Sequence, residues 1–135
     1  MSLVLVSHDL GVIAQNTDRI IVMYAGEVVE AGTSKNVIGH PTHPYTQGLL
    51  KSLPARYAHE GKSFRLPTIP GIVPHLGQRP PGCQLSPRCS IKDSQCEKGS
   101  IQIFEFLANG QQHQVRCLKS QFSEKAKNKQ LGEMI

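Results

Sequence analysis

Four cysteines, Cys83, Cys89, Cys96 and Cys117, crowd into one stretch of a chain that has no others. Their spacing is C-x5-C-x6-C-x20-C. In a reducing compartment, clustered cysteines point to metal more than to disulfides. Four thiolates can complete a tetrahedral zinc site or hold a 4Fe–4S cluster. Spacing alone leaves both open, because the paired C-x2-C knuckles of zinc sites and the C-x2-C runs of bacterial ferredoxins are both absent. His8 is a second candidate. It follows the β-branched run Val4-Leu5-Val6 and precedes Leu10, Ile13 and Ala14, which are apolar at helical spacing. That pattern reads as a buried strand ending on a polar side chain, with Asp9 capping the next helix. In an open parallel sheet, ligands collect at the carboxyl ends of strands. The plainer reading of His8 is a strand end bonded to nearby backbone. His40 and His43 are metal ligands by type, but Pro41 and Pro44 make their segment a rigid turn.

The elements that must position these residues come in a clear order. Residues 3–7 read as a strand and 9–16 as a helix. Thr17-Asp18 turns into a strand over 19–24, Ala25-Gly26 makes a hairpin, and 27–31 pairs back. Gly32 closes the hairpin, and Thr33 or Ser34 caps a short helix ending at Gly39. Pro44 suits the first turn of a further helix, with Thr42 as its cap and Tyr45, Leu49, Leu50 and Leu53 on one face. Pro54 stops it, and the plain reading is a helix docked on the α/β core. Residues 55–82 look like a linker, and Leu66–Pro74 must be largely extended, because proline restricts itself and its predecessor. Residues 101–107 read as a strand, Asn109-Gly110 as a turn, and Val115–Cys117 as a short returning strand.

Composition limits what this chain can bury. Hydrophobic content is 39%, with 9 prolines and no tryptophan. The apolar periodic segments lie mostly before residue 54, and the Pro-, Gly- and Ser-rich remainder would fold poorly without a staple. The net charge of +5 is uneven, at −1 over residues 1–60, +4 over 61–118 and +2 over 119–135. No aromatics interleave with the basic residues in a stacking pattern, so nucleic acid is not an expected partner. Met1-Ser2-Leu3 lacks a basic n-region, and no stretch approaches ~20 apolar residues, so a cytoplasmic chain is expected.

The combination of Ser7-His8-Asp9-Leu10 with the strand–turn–strand of Asp18 to Gly32 resembles the end of an ABC-transporter ATP-binding subunit. The stretch His40-Pro41-Thr42-His43-Pro44-Tyr45-Thr46-Gln47-Gly48-Leu49-Leu50 is similar to the hallmark of subunits that drive oligopeptide, dipeptide or nickel import. Pro80-Pro81-Gly82-Cys83 through Cys89, then Cys96, then His113 to Cys117, resembles the C-terminal region of peptide-importer ATPases. Some members of that family hold a 4Fe–4S cluster with four such cysteines.

The resemblance implies an α/β fold. Residues 1–39 would be the C-terminal remnant of an ABC ATPase core (strand, helix, hairpin) and 40–60 a His-Pro-Tyr docking helix. Residues 61–118 would form a small irregular Cys-rich accessory domain, and 119–135 a basic flexible tail. It implies that His8 is the switch histidine touching the γ-phosphate of ATP, with ATP and Mg as cofactors of the parent protein. Cys83, Cys89, Cys96 and Cys117 would hold a 4Fe–4S cluster, with zinc as the alternative, and Arg88 and Arg116 would offset thiolate charge. A structural staple is preferred to a redox role.

The implied partners are a second ATP-binding subunit, membrane permease subunits and, indirectly, a peptide-binding protein, at the inner face of the cell membrane. The chain has no G-x-x-x-x-G-K-S/T phosphate loop and no strand ending in an Asp-Glu pair. Relative to that family it looks like a C-terminal fragment, not expected to hydrolyse ATP alone. A free strand edge would invite self-association of such a fragment. The rival from another class is a stand-alone four-cysteine, metal-stapled interaction module.

Overall fold

Alternation builds the first strand. In the computed structural model, which describes residues 1–54 and 65–120, β1 (Arg19–Tyr24) buries Ile20, Val22 and Tyr24 and leaves Ile21 and Met23 in solvent. This period of two belongs to a sheet wet on one face. Ala25 and Gly26 both take positive φ, at 48° and 82°, and turn the chain tightly into β2 (Glu27–Thr33). The pairing slips between Val22 and Met23, which face Glu30 and Val28, so Val29 is the extra residue of a bulge.

Around this hairpin the other elements fall largely where local chemistry puts them. The helix α1 (Leu10–Asn16) starts on Asp9, whose carboxylate accepts from the backbone N–H of Gly11 and Val12. Thr33 caps α2 (Ser34–Gly39) through Asn36 N–H. Then α3 (Pro44–Lys51) follows, with Pro44 in its first turn. Leu66–Pro74 carries no helix or strand, in line with its prolines. A second hairpin, β3 (Phe104–Ala108) and β4 (Gln111–Val115), turns at Asn109-Gly110 with φ of 51° and 73°.

The sheet order is β1-β2-β4-β3, and all of its pairings are antiparallel. The expectation of a buried strand over residues 3–7 is corrected. Residues 3–7 form no strand, and Val4 and Val6 are 88% and 91% exposed. A strand needs a neighbour for its N–H and C=O groups, and among the described residues nothing pairs with this run. The sheet also crosses the compositional boundary at residue 61, because Glu30 and Ala31 of β2 pair with Val115 and Gln114 of β4. The returning strand begins at Gln111, four residues earlier than its apolar end indicated. Of the 119–135 tail, residues 121–135 lie outside the described residues, as do residues 55–64 of the linker.

One buried cluster gathers Ile13, Ile20, Val22, Tyr24, Val29 and Val37, and Leu85 joins it from the Cys-rich stretch. Cys83 and Cys89 pack against the same cluster. A smaller cluster joins Phe104, Val115 and Cys117. The Pro-rich segment is fastened by polar bonds. The Arg88 guanidinium donates to the carbonyls of Ile69 and Pro70 and to the Tyr24 hydroxyl, and the Ser52 hydroxyl donates to Pro67 O at 2.6 Å.

Gly82 stands where a Cβ would collide with the Cys96 carbonyl. Gly82→Ala should therefore destabilise the fold by about 1–3 kcal/mol. Gly39→Ala, with open space around it, should shift the urea midpoint little or raise it, and parallel urea titrations of the two variants check this.

Candidate functional site

A carboxylate with no access to water organises the site. Glu30, on β2, is 0% exposed. Its Oε1 accepts from Thr42 N–H at 2.7 Å, the Thr42 hydroxyl at 2.8 Å and His113 Nε2 at 2.8 Å, while Oε2 accepts from His43 N–H at 3.0 Å. Burial works against the charged form, but bonds from His113 and Thr42 outweigh it and hold the carboxyl below its ordinary value. His113, 1% exposed on β4, stacks near Phe106 with ring centroids 5.0 Å apart. Gly32 makes room for that imidazole, because a Cβ there would sit 2.5 Å from His113 Nδ1. Thr42 thus serves Glu30 and does not cap α3, contrary to the expectation from its position. The cap is His43, whose Nδ1 accepts from Tyr45 N–H at 3.1 Å.

The capping bond fixes the tautomer of His43. With Nδ1 accepting, a neutral ring carries its proton on Nε2. Burial lowers the pKa of this imidazole to about 4, against the attraction of Glu30, so it is neutral at pH 7. His43 is 1% exposed, and its Nε2 has no hydrogen-bond partner.

That orphaned atom belongs to a residue lining the same cavity as all four cysteines. The cavity is about 10 Å³, one water's worth. Leu85 and Ile101 make apolar wall, with Lys92 and Lys119 also contributing. Backbone bonds fix the loops that bring the thiols in. Cys83 N–H donates to Cys96 O at 2.7 Å, Ser86 N–H to Cys83 O at 2.9 Å, and Cys96 N–H to the carboxylate of Asp93 at 3.2 Å. All four thiols are free, with Cys96 and Cys117 buried and Cys83 and Cys89 half-buried. Burial pushes Cys83 up and Cys117 up to about 11, so these two are protonated at neutral pH.

Four thiols are donors of the kind metal sites use, but among the described residues no three His, Cys, Asp or Glu side chains are grouped to hold an ion. Sulfurs bound to one tetrahedral zinc would lie only ~3.8 Å apart, given bonds of ~2.3 Å.

The remaining expected site residues go elsewhere. His8 lies exposed in the bend before α1, where Ser7 Oγ accepts from Asp9 N–H, and it is not among the cavity residues. His40 is the C-cap of α2. Backbone carbonyls engage the guanidinium groups of both Arg88 and Arg116. Arg116 donates to Val28 O and Ile101 O. Lys92 and Lys119 take the places near the thiols, ion-paired with Glu97 and Asp93. Glu30 and His113 went unrecognised as site residues. The available signal was a carboxylate inside the apolar run Val28-Val29-Glu30-Ala31.

With this geometry in place, comparison with known proteins is informative. Residues 29–96 match the profile of a family described as oligopeptide/dipeptide transporter, C-terminal region. The chain is 50% identical over 103 residues to a dipeptide transport ATP-binding protein of Haemophilus influenzae, covering 76% of this chain and 30% of that protein. It is 46% identical over 98 residues to a protein of Brucella melitensis named for peptide import ATP binding, covering 73% and 29%. A similarly named protein of Brucella ovis is 39% identical over 124 residues, covering 90% and 36%. The chain thus spans about a third of the length of these curated relatives.

The buried imidazole makes stability depend on pH. Unfolded, His43 titrates near its ordinary 6.5; folded, near 4. Between those values the unfolded chain binds a proton that the folded chain does not, so the His43 contribution is complete above pH 6.5 and shrinks as the pH falls toward 4, by up to roughly 3 kcal/mol. Glu30, with its carboxyl held low, adds a further loss below its ordinary 4.5. Urea midpoints between pH 7.5 and 4.5 should fall along this course in the wild type. They should fall less steeply in His43→Asn, whose amide oxygen can still cap α3.

Proposed function

Because the chain belongs to the family of oligopeptide/dipeptide transporter C-terminal regions, we propose that it is the C-terminal part of the ATP-binding subunit of an ABC importer for peptides. The observation that carries this reading is the matched stretch 29–96 itself. It contains Glu30, the Thr42–Tyr45 turn that Glu30 clamps and three of the four cysteines, so the family signature coincides with the best-organised part of the molecule.

In this reading the parent subunit binds ATP with Mg and couples its hydrolysis to membrane permeases, working beside a second ATP-binding subunit at the inner face of the cell membrane. A separate binding protein delivers the cargo, a dipeptide, an oligopeptide or nickel. His8 is the residue that senses the γ-phosphate. Its exposed place, one residue before the Asp9 cap of α1, leaves the imidazole free to donate to a phosphate oxygen, a role of positioning and electrostatic stabilisation. Among the described residues no helix is long and apolar enough to cross a membrane.

Cys83, Cys89, Cys96 and Cys117 would hold a 4Fe–4S cluster in the accessory region, or zinc after the ring tightens. The bound group would supply a covalent staple to a segment short of apolar core. A self-contained metal-stapled module is the second reading, favoured by the pairing of β2 with β4.

Two measurements separate these readings. In a subunit that contains this sequence together with a phosphate loop, His8→Ala should lower ATP turnover at least about 100-fold while ATP still binds. Unchanged turnover would remove His8 from the reaction. Iron and acid-labile sulfide should accompany protein purified without oxygen, with a brown absorption band. One zinc per chain would identify the other metal, and neither metal with an intact fold would sink the metal assignment.

A further inference from the structure

We propose that the groove between α3 and the Pro67–Gly71 segment binds a small carboxylate with an apolar body. The groove has a volume of about 490 Å³, inside the ~300–1,000 Å³ range of small-molecule sites. One wall is a single face of α3, because Pro44, Gln47, Gly48 and Lys51 recur at helical spacing. The other wall is the Pro67–Gly71 segment, and Pro87 to Ile91 add to the lining. Polar bonds fasten these walls before any ligand arrives. Arg88 holds the carbonyls of Ile69 and Pro70, and Ser52 holds that of Pro67. Gly48 lets Ile69 approach the helix, since a Cβ there would stand 2.6 Å from Ile69 Cγ1. A site already built loses little further entropy on binding.

Charge decides the polar end of the ligand. The lining contains two cations, Lys51 and Arg88, and no Asp or Glu. Among the described residues neither cation has an ion-pair partner. Arg88 donates one bond from each of its three nitrogens. A guanidinium carries five N–H groups, so one remains on each Nη. Lys51 lies exposed in the last turn of α3. Two uncompensated charges with spare donors favour an anion, and a planar carboxylate matches a guanidinium. The walls decide the rest. Ile69, Leu85 and Ile91, together with four prolines, offer hydrocarbon, which a bare inorganic anion cannot use. An ammonium finds no acid in this lining, so a peptide fits by its carboxyl end with its amino end acylated or outside. A peptide C-terminus and a free aliphatic acid share this chemistry.

The test titrates the 135-residue chain in a calorimeter with N-acetyl-Leu-Leu, its C-terminal amide, octanoate and inorganic phosphate. The peptide acid should saturate one site with a Kd of about 1 mM or tighter, and its amide should bind at least about 10-fold more weakly. Lys51→Gln removes a cation and Ser90→Asp adds a repelling charge, both at exposed lining positions. Each should weaken the peptide acid about 3- to 10-fold and leave the urea midpoint in place. Octanoate that binds more weakly than the peptide acid supports the site and identifies a peptide C-terminus as its source. Octanoate that binds equally supports it with an aliphatic acid as the source. The proposal is overturned by a peptide acid that does not saturate, by an amide or phosphate that binds as tightly, or by variants that leave the affinity unchanged.

Discussion

A negative charge buried without water must be answered by polar partners, and Glu30 is answered from two separate parts of the chain. Thr42 and His43 reach it from the turn before α3, and His113 from β4. Removing one partner of such a buried pair typically costs about 3–5 kcal/mol, since the other charge is left uncompensated. The net gain over an apolar substitute is smaller, and the value of the arrangement lies in register. A sheet slipped by one residue would place Glu30 on the opposite face and leave Thr42, His43 and His113 without their acceptor. The carboxylate therefore sets which residue of β4 faces β2, and at what angle α3 leaves the sheet.

The cysteine pocket depends on the same constraint. His43 lies on both sides of it, with its backbone N–H on Glu30 and its ring among the thiols. Cys117 follows closely after the strand that carries His113, and Arg116 ties that strand end back to Val28 and Ile101. The Pro-rich stretch, poor in apolar side chains, is held against the core by Arg88 and Ser52 on its carbonyls. A region that cannot bury enough hydrocarbon is positioned instead by directed polar bonds, which demand correct geometry and reward nothing short of it.

Local signals were readable wherever the cause was local. The Asp9 cap, the Ala25-Gly26 and Asn109-Gly110 turns and the Pro44 start of α3 are all decided by one to four neighbouring residues. The four cysteines could be singled out because clustering survives any fold. What stayed hidden was set over long range. Only the Asn109-Gly110 turn and the apolar end at Val115 mark β4; the rest of Gln111–Val115 is polar, and its pairing with β2 is imposed by distant residues. The run at 3–7 has strand propensity and no partner among the described residues, and propensity without a neighbour makes no sheet. The contacts of Thr42 and His43 with Glu30 stayed hidden for the same reason, since each is defined by a group distant along the sequence.

The sheet order has a further consequence, for the time course of folding. β1 and β2 form a tight hairpin from adjacent residues, and β3 and β4 form another. The step that joins them brings Glu30 to His113 across 83 residues. Closing so long a loop carries an entropic cost that neither hairpin bears, so this junction is the slow event. During synthesis the first hairpin leaves the ribosome with one flank of β2 open, and at ~5–20 residues per second it waits several seconds for its partner strand. A charged side chain on that open flank is a poor template for stray strands. Glu30 thus protects the nascent chain from mispairing before it comes to hold the finished fold together.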